Sequence, residues 1–459
     1  MVEDFIRRLG NASPNDAVLY LLCLGEIGKQ VDLSSHAALL PTVTKGFTSE
    51  SEDTRGAASF ALGSIAAGKL DFFLPHLLKE VDSSAHDYLM LHAFKEMLGA
   101  GGDGLAAFAP ELLPKLLAFA EVRLYFHSVA PCNPIPFAGQ PTHTPTRMRA
   151  TCPYVRHVPV EFTLPMCAHW QRDEEGVRNV VAECLGRLAA VSPDAVTPQL
   201  KALLPSPSAA TRSTVISCIR FAVTELGSGP LPASLQSSLL EFLATLEDED
   251  LKVRRGAVLT LNCLAHNKPV AIKDLLPTLL PLLYPETVKK PELVHQVDLG
   301  PFKHTVDDGL EIRKAAFETM ETLLIKCADR LDFSAFITHL VDGLKDDGDI
   351  KLLCHRMLID LTVYAPAVPV VTSMIDAMVD PLRVTITATL KDNAVKQQVE
   401  RHGEMVRSAM RACRALDKLP DAEGVAKFVD LVRTTLRGGK LAEQYATVCA
   451  EEDTKANSE

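Results

Sequence analysis

The sequence predicts an all-α fold of stacked helical repeats with one projecting β-hairpin and one irregular insert. Three observations support this prediction. Leu and Ala dominate the 459 residues, while aromatic residues make up 6% with a single Trp, which favours helices over an all-β fold. A pattern typical of helix starts recurs along the chain, and two short alternating runs interrupt it once.

The recurring pattern consists of acidic or small residues, then a basic residue, then small residues that open a helix. Where its copies are adjacent, their basic residues lie 34, 42 and 38 residues apart. That spacing is close to the roughly 40-residue period of HEAT-type helix pairs, so we expect a HEAT-repeat solenoid, or α–α superhelix. The copies are 51–58, 173–180, 206–212, 248–257, 308–315 and 346–351.

Each part of the pattern has a physical role in such a repeat. Asp or Ser at the turn can accept hydrogen bonds from the free N–H groups of the following helix. Acidic residues in the first turn interact favourably with the helix dipole. Small residues let the helix pack closely on its neighbours.

Composition and motifs exclude several classes of function. A net charge of −11 argues against nonspecific binding to nucleic acid or anionic lipid. No apolar run reaches the roughly 18 residues of a membrane-spanning helix, and the start lacks a secretory pattern. Because GxSxG, Walker, HExxH and Rossmann motifs are missing, we expect a binding scaffold without cofactor rather than an enzyme. Its expected location is the cytoplasm and nucleus.

Residues 121–171 differ from their surroundings and lengthen one repeat by about 50 residues. The segment holds eight Pro, three of the 11 Cys and the only Trp, so we interpret it as an irregular insert or a gene-model error. Its spacings match no paired zinc-ligand pattern, so an irregular surface loop without metal is the preferred interpretation. The zinc alternative would use His127, Cys132, His143, Cys152, His157, Cys167 and His169.

A second surplus separates Arg254 from Arg313, which lie 59 residues apart. Within it, 292–299 and 302–306 alternate in polarity around Gly300 and Pro301, which predicts a β-hairpin. A hairpin projecting from a helical array cannot bury both faces on its own fold. It is either a prong for docking a partner or a long loop folded back on the array.

These observations divide the chain into six segments. They are HEAT-type repeats at 1–120, the insert at 121–171, central repeats at 172–285, the hairpin prong at 286–307, C-terminal repeats at 308–445 and a frayed polar tail at 446–459.

Several runs resemble the cullin-associated, neddylation-dissociated protein family. The strongest match is the run from Gly300 to Phe317, GPFKHTVDDGLEIRKAAF. Other matches are 54–65, 176–186, 253–255, 265–269, 395–397 and 407–412. The resemblance covers nearly the whole chain except 121–171.

The resemblance implies a long HEAT solenoid that wraps the unneddylated scaffold of cullin–RING ubiquitin ligases and exchanges their substrate-receptor modules. The family's C-terminal repeats hold the N-terminal region of the cullin, where a β-hairpin competes with the adaptor. Carried over to this sequence, the contact candidates are Leu293, His295, Val297, Leu299, Pro301, Phe302, Lys303 and His304.

Family members are much longer, and this chain resembles only their C-terminal portion. We therefore expect either a truncated gene model or one half of a split protein, with a separate N-terminal HEAT-repeat chain as a partner. The alternative to a cullin-ligase regulator is a generic HEAT-repeat adaptor, of the transport-receptor or phosphatase-scaffold type, whose hairpin is merely structural.

Overall fold

The computed structural model of the chain describes residues 1–83, 87–125, 167–299, 302–390 and 395–456. The chain forms two compact units, Met1–Glu225 and Leu226–Glu459. In the described residues, each unit consists mainly of helices, as the repeat pattern predicts.

The first unit is helical throughout its described part, with 3-10 turns at Gly46–Thr48 and Gly102–Phe108. Its α-helices are α1 Val2–Leu9, α2 Pro14–Gln30, α3 Leu39–Lys45, α4 Glu52–Gly68, α5 Leu70–Ser83, α6 Asp87–Ala100, α7 Ala109–Tyr125, α8 Cys167–Val191, α9 Pro193–Leu203 and α10 Ala209–Glu225.

The second unit combines helices with the strands β1 Val294–Leu299 and β2 Phe302–Asp307, and a π-helical segment spans Leu431–Arg437. Its α-helices are α11 Ala233–Leu243, α12 Leu251–Asn267, α13 Pro269–Ile272, α14 Leu276–Leu283, α15 Leu310–Cys327, α16 Phe333–Gly343, α17 Gly348–Val363, α18 Val368–Thr387, α19 Lys396–Asp417, α20 Ala426–Asp430 and α21 Ala442–Ala456.

Within each unit, the second helix of one repeat packs on the second helix of the next. In the first unit α2, α4, α6, α8 and α10 follow one another in this way. In the second unit the succession is α12, α15, α17, α19 and α21. Nearest-neighbour packing of this kind confirms the predicted class, an all-α HEAT-repeat solenoid with one β-hairpin.

The predicted helix caps are present in several repeats. Ser51 accepts a hydrogen bond from the Thr54 amide at the start of α4. Asp250 accepts bonds from the first amides of α12, and Asp347 accepts one from Asp349 at the start of α17. Helix α15 instead begins after Gly309, without a side-chain cap.

Helix α8 differs from the expectation for the second copy of the pattern. The acidic residues Asp173, Glu174 and Glu175 were expected at a turn, but they lie inside α8, which begins at Cys167. The predicted insert, 121–171, starts and finishes in helix, since α7 extends to Tyr125 and α8 begins at Cys167; residues 126–166 lie outside the described part.

The C-terminal segment also differs from its expectation. Residues 446–459 were expected to fray, but α21 is helical as far as Ala456. Tyr445 and Val448 are buried, and Arg411 and Arg414 of α19 form ion pairs with acidic residues of α21. Burial and paired charge therefore order this helix.

Aliphatic side chains fill the interior between the helix layers, with fully buried aromatic residues such as Phe94 and Phe242 in the two units. Over the described residues, no helix is both long and apolar enough to cross a membrane.

Candidate protein-docking hairpin

The hairpin is antiparallel, and its register sorts its residues onto two different faces. Cross-strand pairs join Val297 to His304 and Asp298 to Lys303. Because neighbouring residues of a strand point to opposite sides, these two pairs lie on opposite faces.

One hairpin face is mostly apolar with two histidines, and the other is polar. We call the first the apolar face; its positions are 295, 297, 299, 302, 304 and 306. We call the second the polar face; its positions are 294, 296, 298, 303, 305 and 307. The sequence predicted the hairpin but did not assign residues to faces.

The middle of the hairpin is exposed on both faces. His295, Val297 and His304 are exposed on the apolar face, and Val297 keeps 37% of its surface accessible. Asp298 and Lys303 are exposed on the polar face. At these positions the hairpin does not fold back onto the helices, which argues against the loop alternative.

The eight predicted contact residues do not form one surface. Five of them share the apolar face by position, namely His295, Val297, Leu299, Phe302 and His304. Lys303 belongs to the polar face. The structure thus brings five of the candidates together, while Pro301 lies outside the described residues.

Leu293 lies at the start of the hairpin and is half-buried. Its carbonyl accepts a hydrogen bond from the Asp308 amide at 3.0 Å. Its Cδ1 lies over Gly309, where a Cβ would come within 3.0 Å of it. Leu293 therefore closes the end of the hairpin that joins the helices.

A buried ion-pair cluster that the sequence reasoning missed holds this end of the hairpin. We call Asp307, Arg313 and Asp346 the hairpin anchor. Arg313 keeps only 2% of its surface exposed. Its Nη1 and Nη2 donate to the two Asp307 carboxylate oxygens at 3.1 and 3.0 Å. Its Nε and Nη2 donate to Asp346 at 2.8 and 2.9 Å.

The hairpin anchor connects three parts of the second unit. Asp307 ends β2, Arg313 lies in the first turns of α15, and Asp346 lies in the turn before α17. Bidentate pairs between a guanidinium and carboxylates fix geometry as well as charge. Removing one partner of a buried pair costs about 3–5 kcal/mol because the other charge is left unpaired.

The ionisation of the hairpin anchor agrees with its geometry. Hydrogen bonds from Arg313 hold the pKa of Asp307 below its ordinary value, against the opposing effect of burial. Burial disfavours the charged guanidinium, but the hydrogen bonds to Asp346 and Asp307 together raise the pKa of Arg313. Lys289 Nζ lies 3.5 Å from Asp307 and adds positive charge beside it.

The signal that could have revealed the anchor is a recurring spacing of six residues. Arg55 donates to the Ser49 carbonyl, Arg212 to the Ser206 carbonyl and Arg254 to the Asp248 carbonyl. In each case the acceptor precedes the arginine by six residues. Asp307 precedes Arg313 by the same number, but it accepts with its side chain.

The chain entering the hairpin is held by a second set of contacts. Glu286, which is 4% exposed, lies 2.7 Å from Lys290 Nζ and 3.1 Å from Arg254 Nε. The Tyr284 ring stacks on the His339 ring with centroids 4.3 Å apart. Burial lowers the pKa of His339, and its Nδ1 lies 3.0 Å from the Thr287 hydroxyl.

Metal chemistry has no support in the part of the chain that the structure describes. There, no group of three or more His, Cys, Asp and Glu residues is arranged to hold a metal ion. Most of the His and Cys residues weighed for zinc fall within 126–166, outside the described residues.

Comparison with known proteins places the hairpin inside a matched region. A family model described as "TATA-binding protein interacting (TIP20)" matches residues 271–435, which include the hairpin and its anchor. Cullin-associated NEDD8-dissociated protein 1 of Dictyostelium discoideum is 36% identical over 460 residues, covering 100% of this chain and 33% of that protein. The Arabidopsis thaliana protein of the same name is 39% identical, covering 94% and 31%.

A relative from Emericella nidulans is itself named as the C-terminal part of cullin-associated NEDD8-dissociated protein 1. It is 30% identical, and the match covers 92% of this chain and 36% of the relative. The chain belongs to the cullin-associated NEDD8-dissociated protein family. This confirms the resemblance drawn from the sequence.

The chain spans about a third of the length of these relatives. Among solved structures, Kap95p in its complex with RanGDP has a TM-score of 0.56 at 11% identity, covering 97% of this chain and 50% of Kap95p. At that identity the likeness concerns the HEAT-repeat fold alone.

Proposed function

We propose that this chain regulates the assembly of cullin–RING ubiquitin ligases without catalysing a reaction. In this proposal it binds the N-terminal region of an unneddylated cullin, and its hairpin competes with the adaptor that carries the substrate receptor. The names of the relatives, which refer to cullin association and to NEDD8, support a cullin as the partner.

The observation that carries the proposal is an exposed two-faced hairpin held at one end by a buried anchor. Residues such as Val297 that stay exposed on a hairpin contribute little to the stability of the fold. Exposed residues on a firmly held element are well suited to binding a partner, because little order must be gained on docking.

The apolar face is the proposed contact surface. Val297 and His304 pair directly across the strands at its centre. We propose that this face enters an apolar groove of the cullin, while Lys303 on the polar face stays near the rim of the interface. Buried apolar residues dominate binding energy, whereas charges at the rim contribute little.

The test replaces Glu292–Val306 with a short Gly-Ser loop and measures binding to an unneddylated cullin–RING complex, with and without the adaptor. We expect circular dichroism to show unchanged helicity, and competition with the adaptor to disappear. Unchanged competition would overturn the assignment of the hairpin as the competing element.

A matched pair of point variants tests which face makes contact. Val297→Asp adds one negative charge to the apolar face, and Thr305→Asp adds one negative charge to the polar face. We expect the first variant to weaken competition at least about tenfold and the second to change it by less than about threefold. Equal losses for both variants would contradict the assignment of the apolar face.

A further inference from the structure

The hairpin anchor uses the basic position of the repeat pattern, but its arginine has other hydrogen-bond partners than Arg55 and Arg254. In α4 and α12, Arg55 and Arg254 each donate to two backbone carbonyls of the preceding turn. Those bonds close a turn within one repeat. Arg254 adds an ion pair with Glu286 at 3.1 Å, whereas Arg313 bonds to two carboxylates on two different segments.

Among the described hairpin side chains, Asp307 is the one that Arg313 holds. It is the last residue of β2, and its register partner is Val294, the first residue of β1. It also accepts a bond from the Gly309 amide at 3.1 Å. A bidentate bond at the end of a two-stranded ribbon constrains the direction in which the ribbon leaves the helices.

The opposite end of the ribbon has no comparable support among the described residues. Gln296, Val297 and Asp298 are exposed on β1, and Lys303 and His304 are exposed on β2. A two-stranded hairpin is only marginally stable by itself in water. Its direction must therefore be determined where it meets α15 and the turn before α17.

We propose that Arg313 is a positioning residue that sets the direction of the hairpin for docking, although it does not touch the partner. The inference rests on the proposed function for its binding consequence, but its structural part can be tested without any partner. Releasing Asp307 from Arg313 lets the hairpin sample many directions. Only a fraction of those directions fits the docking groove, so the apparent affinity falls by that fraction.

The variant that tests this is Asp307→Asn in the full chain. It removes the bidentate bond to Arg313 but keeps an oxygen for the Gly309 amide, and it leaves the Arg313–Asp346 pair in place. The matched control is Asp298→Asn, which removes an exposed carboxylate from the same face of the same hairpin. A second variant, Arg313→Lys, keeps the positive charge but loses the planar fork that makes two bonds on each side.

The first readout is the direction of the hairpin in the free protein. Spin labels attached through non-natural amino acids at positions 303 and 326 report the distance between the hairpin and the end of α15, and both positions are exposed. We expect a narrow distance distribution for the original chain and for Asp298→Asn. We expect a broad one for Asp307→Asn and Arg313→Lys.

The second readout is competition with the adaptor for the unneddylated cullin. If about one conformer in ten remains competent, Asp307→Asn and Arg313→Lys each raise the concentration needed for competition about tenfold. Asp298→Asn leaves it unchanged. Arg55→Lys serves as a further control, because it weakens an equivalent turn in the first unit and lowers the melting temperature without broadening the hairpin distances.

The outcomes separate this inference from the proposed function. A distribution that stays narrow in Asp307→Asn and Arg313→Lys overturns the positioning role, whatever the binding result. Broadening without loss of competition overturns its link to docking. Competition that survives replacement of Glu292–Val306 overturns the proposed function, while the distance measurement in the free protein still decides what Arg313 does.

Discussion

A single arginine position serves two purposes in this chain. In three copies of the repeat pattern it closes a turn through backbone carbonyls, and at Arg313 it holds a separate element through carboxylates. The sequence pattern revealed the arginine position, but it did not reveal which carboxylates bind Arg313. Asp346 follows Arg313 by 33 residues, and only the packing of α17 on α15 brings them together.

His355 offers a second residue whose role depends on burial. It is fully buried in α17, and its Nδ1 lies 3.2 Å from Ser408 Oγ of α19. Burial, with a smaller effect of Lys351, lowers the pKa of His355 to about 4. An unfolded chain returns this histidine to a pKa of about 6.5.

We predict that His355 makes the protein less stable in mild acid. Between pH 6.5 and 4 the unfolded state binds the proton and the folded state does not, so stability falls as the pH falls through this window. The loss reaches about 3 kcal/mol at the lower end. Urea unfolding at several pH values should show a flatter pH dependence for His355→Gln than for the original chain; parallel curves would contradict the prediction.

At the scale of elements, close packing of α4 on α6 depends on a glycine beyond the pattern copy 51–58 rather than on the glycine within it. Gly63 of α4 faces α6 so closely that a Cβ there would lie 2.2 Å from the Ala93 carbonyl oxygen. Gly56, two turns earlier in the same helix, has no neighbour within 4 Å of such a Cβ. The two glycines therefore form a matched pair.

We predict opposite effects for the same substitution at these two positions. Gly63→Ala forces α4 and α6 apart and should destabilise the protein by about 1–3 kcal/mol. Gly56→Ala adds only helix propensity and should stabilise it by about 0.5–1 kcal/mol. Denaturant unfolding measures both; a destabilising Gly56→Ala or a neutral Gly63→Ala would show that helix spacing does not limit this contact.

The hairpin was the element most accessible to sequence reasoning, because alternation over two short runs is a local signal. The expected runs, 292–299 and 302–306, differ from the strands by two residues or fewer at each end. Helix α19 was less accessible. Within α19, Val406, Ala409 and Met410 are buried at helical spacing. The many charged residues of α19 obscured this row of buried residues in the sequence.

At the scale of the whole molecule, the described contacts divide the chain at Glu225 and Leu226. Repeat proteins gain stability mainly from contacts between neighbouring repeats, so each unit holds most of what it needs to fold. Ion pairs between helices of adjacent repeats accompany this packing in the second unit, including Arg255–Glu311 and Lys314–Asp349. Because both are at least partly exposed, each contributes only about 0.2–1 kcal/mol.

We predict that the fragment Leu226–Glu459 folds by itself and keeps the hairpin in place. The fragment contains both strands, the hairpin anchor and the contacts of Glu286 with Arg254 and Lys290. It should unfold cooperatively in urea and should compete with the adaptor as the full chain does. A fragment that folds but does not compete would assign part of the binding surface to the first unit.

The hairpin enters the array without separating the repeats on either side of it. Helices α12 and α15 pack directly on each other, although 42 residues of chain lie between the end of one and the start of the other. The segment is therefore portable in principle. Residues 288–309, transferred to the same loop of another HEAT-repeat array, would need an arginine in the pattern position, an aspartate before the next helix and an acidic partner for Lys290 like Glu286. These residues outside the transferred segment would thus determine whether a new scaffold presents it in a fixed direction.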